Sequence, residues 1–304
     1  MRFVIGSAAL LLAALALAGE VGGSPGRRYL PGNGLIAYDS DLAGPTEIYV
    51  MNPDGSKKRR LTHAAVGSVN VEPSWSPDGR RIVFVHGGRC GINCVLKGQL
   101  YVMNTDGSSQ RRLTNNRGSD GNPAWSPDSQ YVAFDRCPNS GCDKADIYII
   151  RPDGTGERPL TRDGRSALPA WSPAGTKIAF TRASADGDRA DIYVMNKDGS
   201  GQHNLTADIA GGGGSEPAWS PDGRTIAFNH GFTLAFMSPD GTHRRHLNAP
   251  DRAVSEPAWS PDGNWIVVQS QQTLWVMNSA LTKFRRVVFD GYNHHPAWQP
   301  LPRR

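Results

Sequence analysis

The sequence lacks the uninterrupted stretches from which long helices are made. Few segments run more than about twelve residues without Gly or Pro, and the chain of 304 residues holds 35 Gly and 22 Pro. A long-helix architecture is excluded. Those two residue types still make up only about a fifth of the chain, below the level of low-complexity disorder. Charge of one sign is also missing, since 33 Lys and Arg against 28 Asp and Glu leave +5. That balance does not suggest a nucleic-acid binder, which normally carries a concentrated basic face. Cysteine is scarce, with four in all. No His-Glu-x-x-His motif is present. A Gly-x-Ser-x-Gly match at Gly22 to Gly26 has no strand before it or helix after it, as a nucleophile elbow requires.

What is present begins with an address. Met1-Arg2 precedes a small-apolar run from Phe3 to Ala18 that ends Ala16-Leu17-Ala18. A basic start, a short apolar stretch and an A-x-A ending form a secretory signal peptide. The run is shorter than the roughly 20 residues of a spanning helix, and no Lys/Arg cluster follows it. We therefore expect a signal peptide over 1–18, a linker over 19–32, and a mature chain in the periplasm or outside the cell with no transmembrane segment. An oxidising compartment favours disulfides over thiolate zinc ligands. Four cysteines allow three pairings. Cys90 and Cys94 share one loop-like stretch, and Cys137 and Cys142 share another, so pairing within each stretch is expected.

Internal repetition is the strongest signal. Trp75-Ser-Pro-Asp-Gly recurs at Trp125, Trp171, Trp219 and Trp259, and more weakly as Trp298-Gln299-Pro300, at intervals of 50, 46, 48, 40 and 39 residues. Periods of this length with several short strands per unit indicate a propeller. Within a repeat, a Pro-x-Trp strand leads through a Ser-Pro-Asp-Gly turn to a second strand such as Ile82-Val83-Phe84. A third strand follows, such as Ile192-Tyr193-Val194-Met195, apolar enough to be buried on both faces. An Asn-x-Asp-Gly turn then leads to a fourth strand ending Arg-Leu-Thr. The first repeat begins with a second strand at Gly34–Tyr38, and the chain closes on a lone first strand at Pro296–Trp298. The reading is an all-β, six-bladed propeller over 33–300 with four antiparallel strands per blade and a tail over 301–304. The N- and C-terminal strands complete the first blade.

These repeats resemble the TolB-like β-propeller family, a WD-repeat-like group, from Asn33 to Pro300. The resemblance implies a periplasmic, partner-binding propeller. It also implies a separate α/β domain ahead of the propeller in the family's namesake, for which residues 19–32 offer no counterpart.

Several residue sets invite a chemical reading. The turn aspartates Asp54, Asp78, Asp106, Asp153, Asp198, Asp222, Asp240 and Asp262 recur through the blades, and side chains of that kind hold turns by bonding the backbone. Basic residues at Lys57–Arg60, Arg111-Arg112, Arg244-Arg245 and Arg285-Arg286 fall on outermost strands, where charge blunts an exposed edge. His243 and His246 lie three apart on one strand and face opposite sides, which disfavours a shared metal. Asn204-Leu205-Thr206 matches a glycosylation acceptor but belongs to the repeated fourth strand.

One set changes from blade to blade. The residue before each Pro-x-Trp is Glu72, Asn122, Leu168, Glu216, Glu256 or His295, and in a radial fold these positions converge on the central channel. Two carboxylates about 8 Å apart at an effective dielectric of ~20 repel by about 2 kcal/mol. A cation or a basic partner group would relieve that repulsion, so Glu72, Glu216 and Glu256 form a candidate calcium-like site. The expected function is a monomeric, exported, non-enzymatic protein that presents this channel mouth to a protein or peptide. The alternative is a metal-assisted enzyme acting there on a sugar or other small polar substrate.

Overall fold

The computed structural model describes residues 33–89, 95–139, 144–209, 212–247 and 253–301. Their strands form six four-stranded antiparallel sheets. The first blade orders Asn293–Trp298, Ile36–Ser40, Glu47–Met51 and Arg59–Arg60 from the axis outward. Its closure pairs Ile36 with Trp298 and Ser40 with Asn293. The remaining blades begin on the inner strands Ser68–Trp75, Ser119–Trp125, Ser166–Trp171, Ser215–Trp219 and Ser255–Trp259. We number them two to six in that order. No helix among the described residues is long and apolar enough to cross a membrane.

The core lies between blades. One apolar cluster joins Val83 and Leu100 of the second blade to Trp125 and Phe134 of the third. Another joins Ile36 and Trp298 of the first blade to Val267 and Val276 of the sixth. That second cluster seals the ring where the chain's two ends meet. Gln299 adds to the seal, accepting from the Leu35 N–H at 3.1 Å and donating to the Gly79 carbonyl at 2.9 Å.

The repeated polar motifs are structural. In the Ser-Pro-Asp turns the serine hydroxyl donates to the aspartate, as Ser220 does to Asp222 at 2.6 Å, and accepts the Thr225 N–H at 2.9 Å. Asp54 and Asp198 likewise accept backbone N–H groups within their own turns. The threonine of the Arg-Leu-Thr motif reaches back to the third strand. Thr62, Thr114, Thr161 and Thr206 accept the N–H groups of Ile48, Leu100, Ile147 and Ile192 at 2.9–3.0 Å. Of the cysteines, Cys137 is buried beside Ala145 and Ala167. Cys90, Cys94 and Cys142 lie outside the described residues, and the expected pairings lie there with them. The expected signal peptide over 1–18, the expected linker over 19–32 and residues 302–304 do so too.

Candidate functional site

The inner strand of every blade carries an irregularity at the residue before proline. Its pairing slips by one residue there, for example between Ser215 and Ala218, and the same slip recurs in the other five blades. Glu72, Asn122, Leu168, Glu216, Glu256 and His295 all take left-handed backbone conformations, with φ between 48° and 57°. This costs a non-glycine residue about 1–2 kcal/mol. Proline follows because it needs no hydrogen-bond partner for a missing N–H, and the preceding residue is already excluded from the right-handed helical region. A bulge of this kind re-aims a side chain. Here it turns all six toward the axis, where they and their prolines line a cavity of about 200 Å³. The six positions expected to converge do converge.

The bulge also frees a backbone N–H, and each of five such groups is taken by the preceding blade. Asn122 N–H donates to Glu72 Oε2 at 2.5 Å, Glu256 N–H to Glu216 Oε2 at 2.7 Å, and His295 N–H to Glu256 Oε2 at 2.5 Å. Where the preceding blade's channel residue is Asn122 or Leu168, the acceptor comes from its second strand instead. Leu168 N–H donates to Asp135 Oδ2 at 2.9 Å and Glu216 N–H to Thr181 Oγ1 at 3.1 Å. Asp39 holds the equivalent second-strand place in the first blade and meets His295 Nδ1 at 3.0 Å. Sequence reading found the channel glutamates but missed Asp39, Asp135 and Thr181. Each is a polar residue following an apolar second-strand run, but Asn229 and Gln269 hold the same place in two glutamate blades, so the pattern alone did not single them out.

The charges of the site fall into two groups. At the seam between the sixth and first blades, His295 lies against Asp39 and Glu256, and His294 Nδ1 lies 3.3 Å from Glu256 Oε1. Burial opposes charge on each, but the ion pairs prevail. His295 is held well above the ordinary histidine range by Asp39 and Glu256. Glu256 is held well below the carboxylate range by His295 and His294. Elsewhere burial wins. It pushes Glu72 up to about 7 and Asp135 up to about 6, and it raises Glu216 with help from the charge on Glu256. In a six-membered ring the second and fifth blades are opposite, so Glu72 and Glu216 face each other across the channel, and the charge on His295 only partly offsets the burial of each.

Glu72 and Glu216, which with Glu256 make up the expected calcium-like set, stand on opposite walls, and one oxygen of each of the three glutamates accepts a backbone N–H of the next blade. Among the described residues no group of three His, Cys, Asp or Glu is placed to hold a metal ion.

A TolB homolog of Chlorobium luteolum is 32% identical over 163 residues, covering 52% of this chain and 33% of that protein. An uncharacterized protein of Agrobacterium fabrum is 30% identical over 161 residues, covering 51% of this chain and 50% of that protein. The chain thus spans a third to a half of the length of these relatives. The crystal structure of TolB from Acinetobacter baumannii superposes with a TM-score of 0.72 at 21% identity, over 88% of this chain and 67% of that one, a likeness of fold. The family model of the PD40 TolB beta propeller domain matches residues 95–262, more than half of the chain, which therefore belongs to the TolB beta propeller family.

Proposed function

We propose that this protein is an exported, non-enzymatic binding propeller of the cell envelope or exterior, acting as a monomer. It would take a protein or peptide partner at the channel mouth, with a basic side chain of the partner directed between Glu72 and Glu216. The observation that carries this reading is the channel ring itself, a cavity whose opposed carboxylates are raised toward neutrality by burial that the charge on His295 only partly offsets. An incoming ammonium or guanidinium group would restore their charge and gain charge-assisted hydrogen bonds. The leader over 1–18 supports export, and export supports disulfides within the Cys90–Cys94 and Cys137–Cys142 stretches. Family membership supports an envelope setting. No particular observation favours a metal-assisted enzyme.

The test is affinity capture of the mature chain from envelope and culture fractions, with bound proteins identified by mass spectrometry. The same capture is run with a Glu72→Gln, Glu216→Gln double variant. Glutamine keeps an acceptor for the Asn122 and Glu256 N–H groups, and the Glu256 ion pair is untouched, so the fold should hold. Recovery of the partner should fall at least tenfold. Equal recovery by a folded double variant would mean that the ring serves only to clamp the blades.

A further inference from the structure

The blades repeat one local packing toward their outer edge, and the fifth departs from it. In five blades the third strand sets an aromatic residue opposite the outer strand: Tyr49, Tyr101, Tyr148, Tyr193 and Trp275. In the second, third and fourth blades a second-strand residue covers that ring. His86 meets Tyr101 edge-on at 5.2 Å, Arg136 lies 4.6 Å over Tyr148, and Arg182 lies 4.5 Å over Tyr193. In the fifth blade the aromatic position is Ala235, paired with His246 of the outer strand. The covering position there is His230. Alanine leaves the space open, and the two imidazoles meet across it with ring centroids 5.1 Å apart and planes at 50°.

That separation suits metal binding. Two imidazoles on one tetrahedral ion, at metal–nitrogen distances near 2.0–2.1 Å, have ring centres about 5 Å apart. His230 is hydrogen-bonded to the backbone of Gly212, an outer contact of the kind that fixes the tautomer of a ligating histidine and leaves the other ring nitrogen free to coordinate. The adjacent cations are engaged elsewhere. Arg244 binds Asp208 Oδ2 at 2.7 Å and the Leu205 carbonyl at 2.6 Å, and Arg245 lies 4.4 Å over the Phe236 ring.

We propose that His230 and His246 form a surface site for a divalent transition-metal ion of the zinc, copper or nickel class, the ions that imidazole suits. Water or a donor from a bound partner completes the coordination, because no third His, Cys, Asp or Glu joins the pair among the described residues. Binding is accordingly weak and reversible. The site stands apart from the channel ring and does not depend on the reading of that ring.

Titration of zinc into the tag-free mature protein at pH 7.5, followed by calorimetry, tests the proposal. About one equivalent should bind. Affinity should fall at least tenfold in both His230→Ala and His246→Ala, and remain unchanged in His243→Ala. Ala235→Tyr, which restores the aromatic of the other blades, should abolish binding, with melting curves taken without metal to confirm that each variant is folded. Absence of zinc binding by the unaltered protein would overturn the proposal. So would a loss confined to one of the two histidines, or folded variants that bind as before.

Discussion

The turns at the ends of the strands and the bulges lining the channel recur with equal regularity, but different things vary in them. In the turns the side chain and its role repeat together: serine, aspartate and a backbone N–H close the same small ring of bonds. Where the fourth blade has Ala174 in place of aspartate, the turn persists on Ser172 alone, which still accepts the Lys177 N–H at 3.0 Å. In the bulges the backbone conformation repeats in all six blades while the side chain changes from carboxylate to amide, leucine and imidazole. A position that keeps its geometry and varies its chemistry is free to differentiate, and the channel ring is where this propeller has done so.

The largest expected effect comes from removing one member of the ring with its strand. Deleting residues from His295 onward takes away Trp298, the pairings of Ile36 with Trp298 and Ala37 with Ala297, and the His295 partner of Asp39 and Glu256. Loss of the tryptophan alone costs about 3–5 kcal/mol, and the exposed edge invites aggregation. Melting temperature and light scattering should show an unstable, associating protein, while removal of residues 303–304 should leave both unchanged. A monomeric truncation with an unaltered melt would refute closure by the terminal strand.

A smaller effect sharpens the comparison through pH. Glu72 has its pKa raised from 4.5 to about 7, so between those values the folded state binds more protons than the unfolded one and stability falls as pH rises. The total change attributable to this group between those values amounts to at most about 3.5 kcal/mol. His295 acts in the same direction: its raised pKa gives stability that is complete below the unfolded value and lost as pH rises through the folded one. The turn aspartates act in the opposite sense. Asp222 is held below its usual value by Ser220, so its contribution is present above that value and lost as pH falls through the folded pKa. Melting temperature should therefore decline from pH 5 to pH 8, and Glu72→Gln should flatten that decline. A slope unchanged by the substitution would place the titration elsewhere.

The smallest effect belongs to the turns. Asp222→Ala removes acceptors for Ser220 and Arg224 but leaves the Ser220 bond to Thr225, reproducing what the fourth blade does with Ala174. A loss of about 1 kcal/mol or less is expected in denaturant titration. A loss comparable to that of the truncation would make the turn aspartates more than local clamps.

Much of this was legible in the residues. The spacing of Trp75, Trp125, Trp171, Trp219, Trp259 and Trp298 counted the blades, and the incomplete repeats at Gly34 and Pro296 indicated how the circle closes, because a propeller strand lacking a neighbour must find one. Turn chemistry and apolar runs are local, so they could be read locally. The convergence of Glu72, Asn122, Leu168, Glu216, Glu256 and His295 also followed, since equivalent positions of a radial repeat share one axis. Only the tertiary structure decided what those residues do to each other. That the charges of His295 and His294 prevail at Glu256 while burial prevails at Glu72 and Glu216, that Asp135 and Thr181 stand in where a channel glutamate is missing, and that His230 meets His246 across Ala235 all depend on contacts between different strands or blades. Repetition fixes where a side chain is placed along its own blade; ion pairing, burial and ring contact depend on distances between strands and blades, which arise only when the ring is packed and closed.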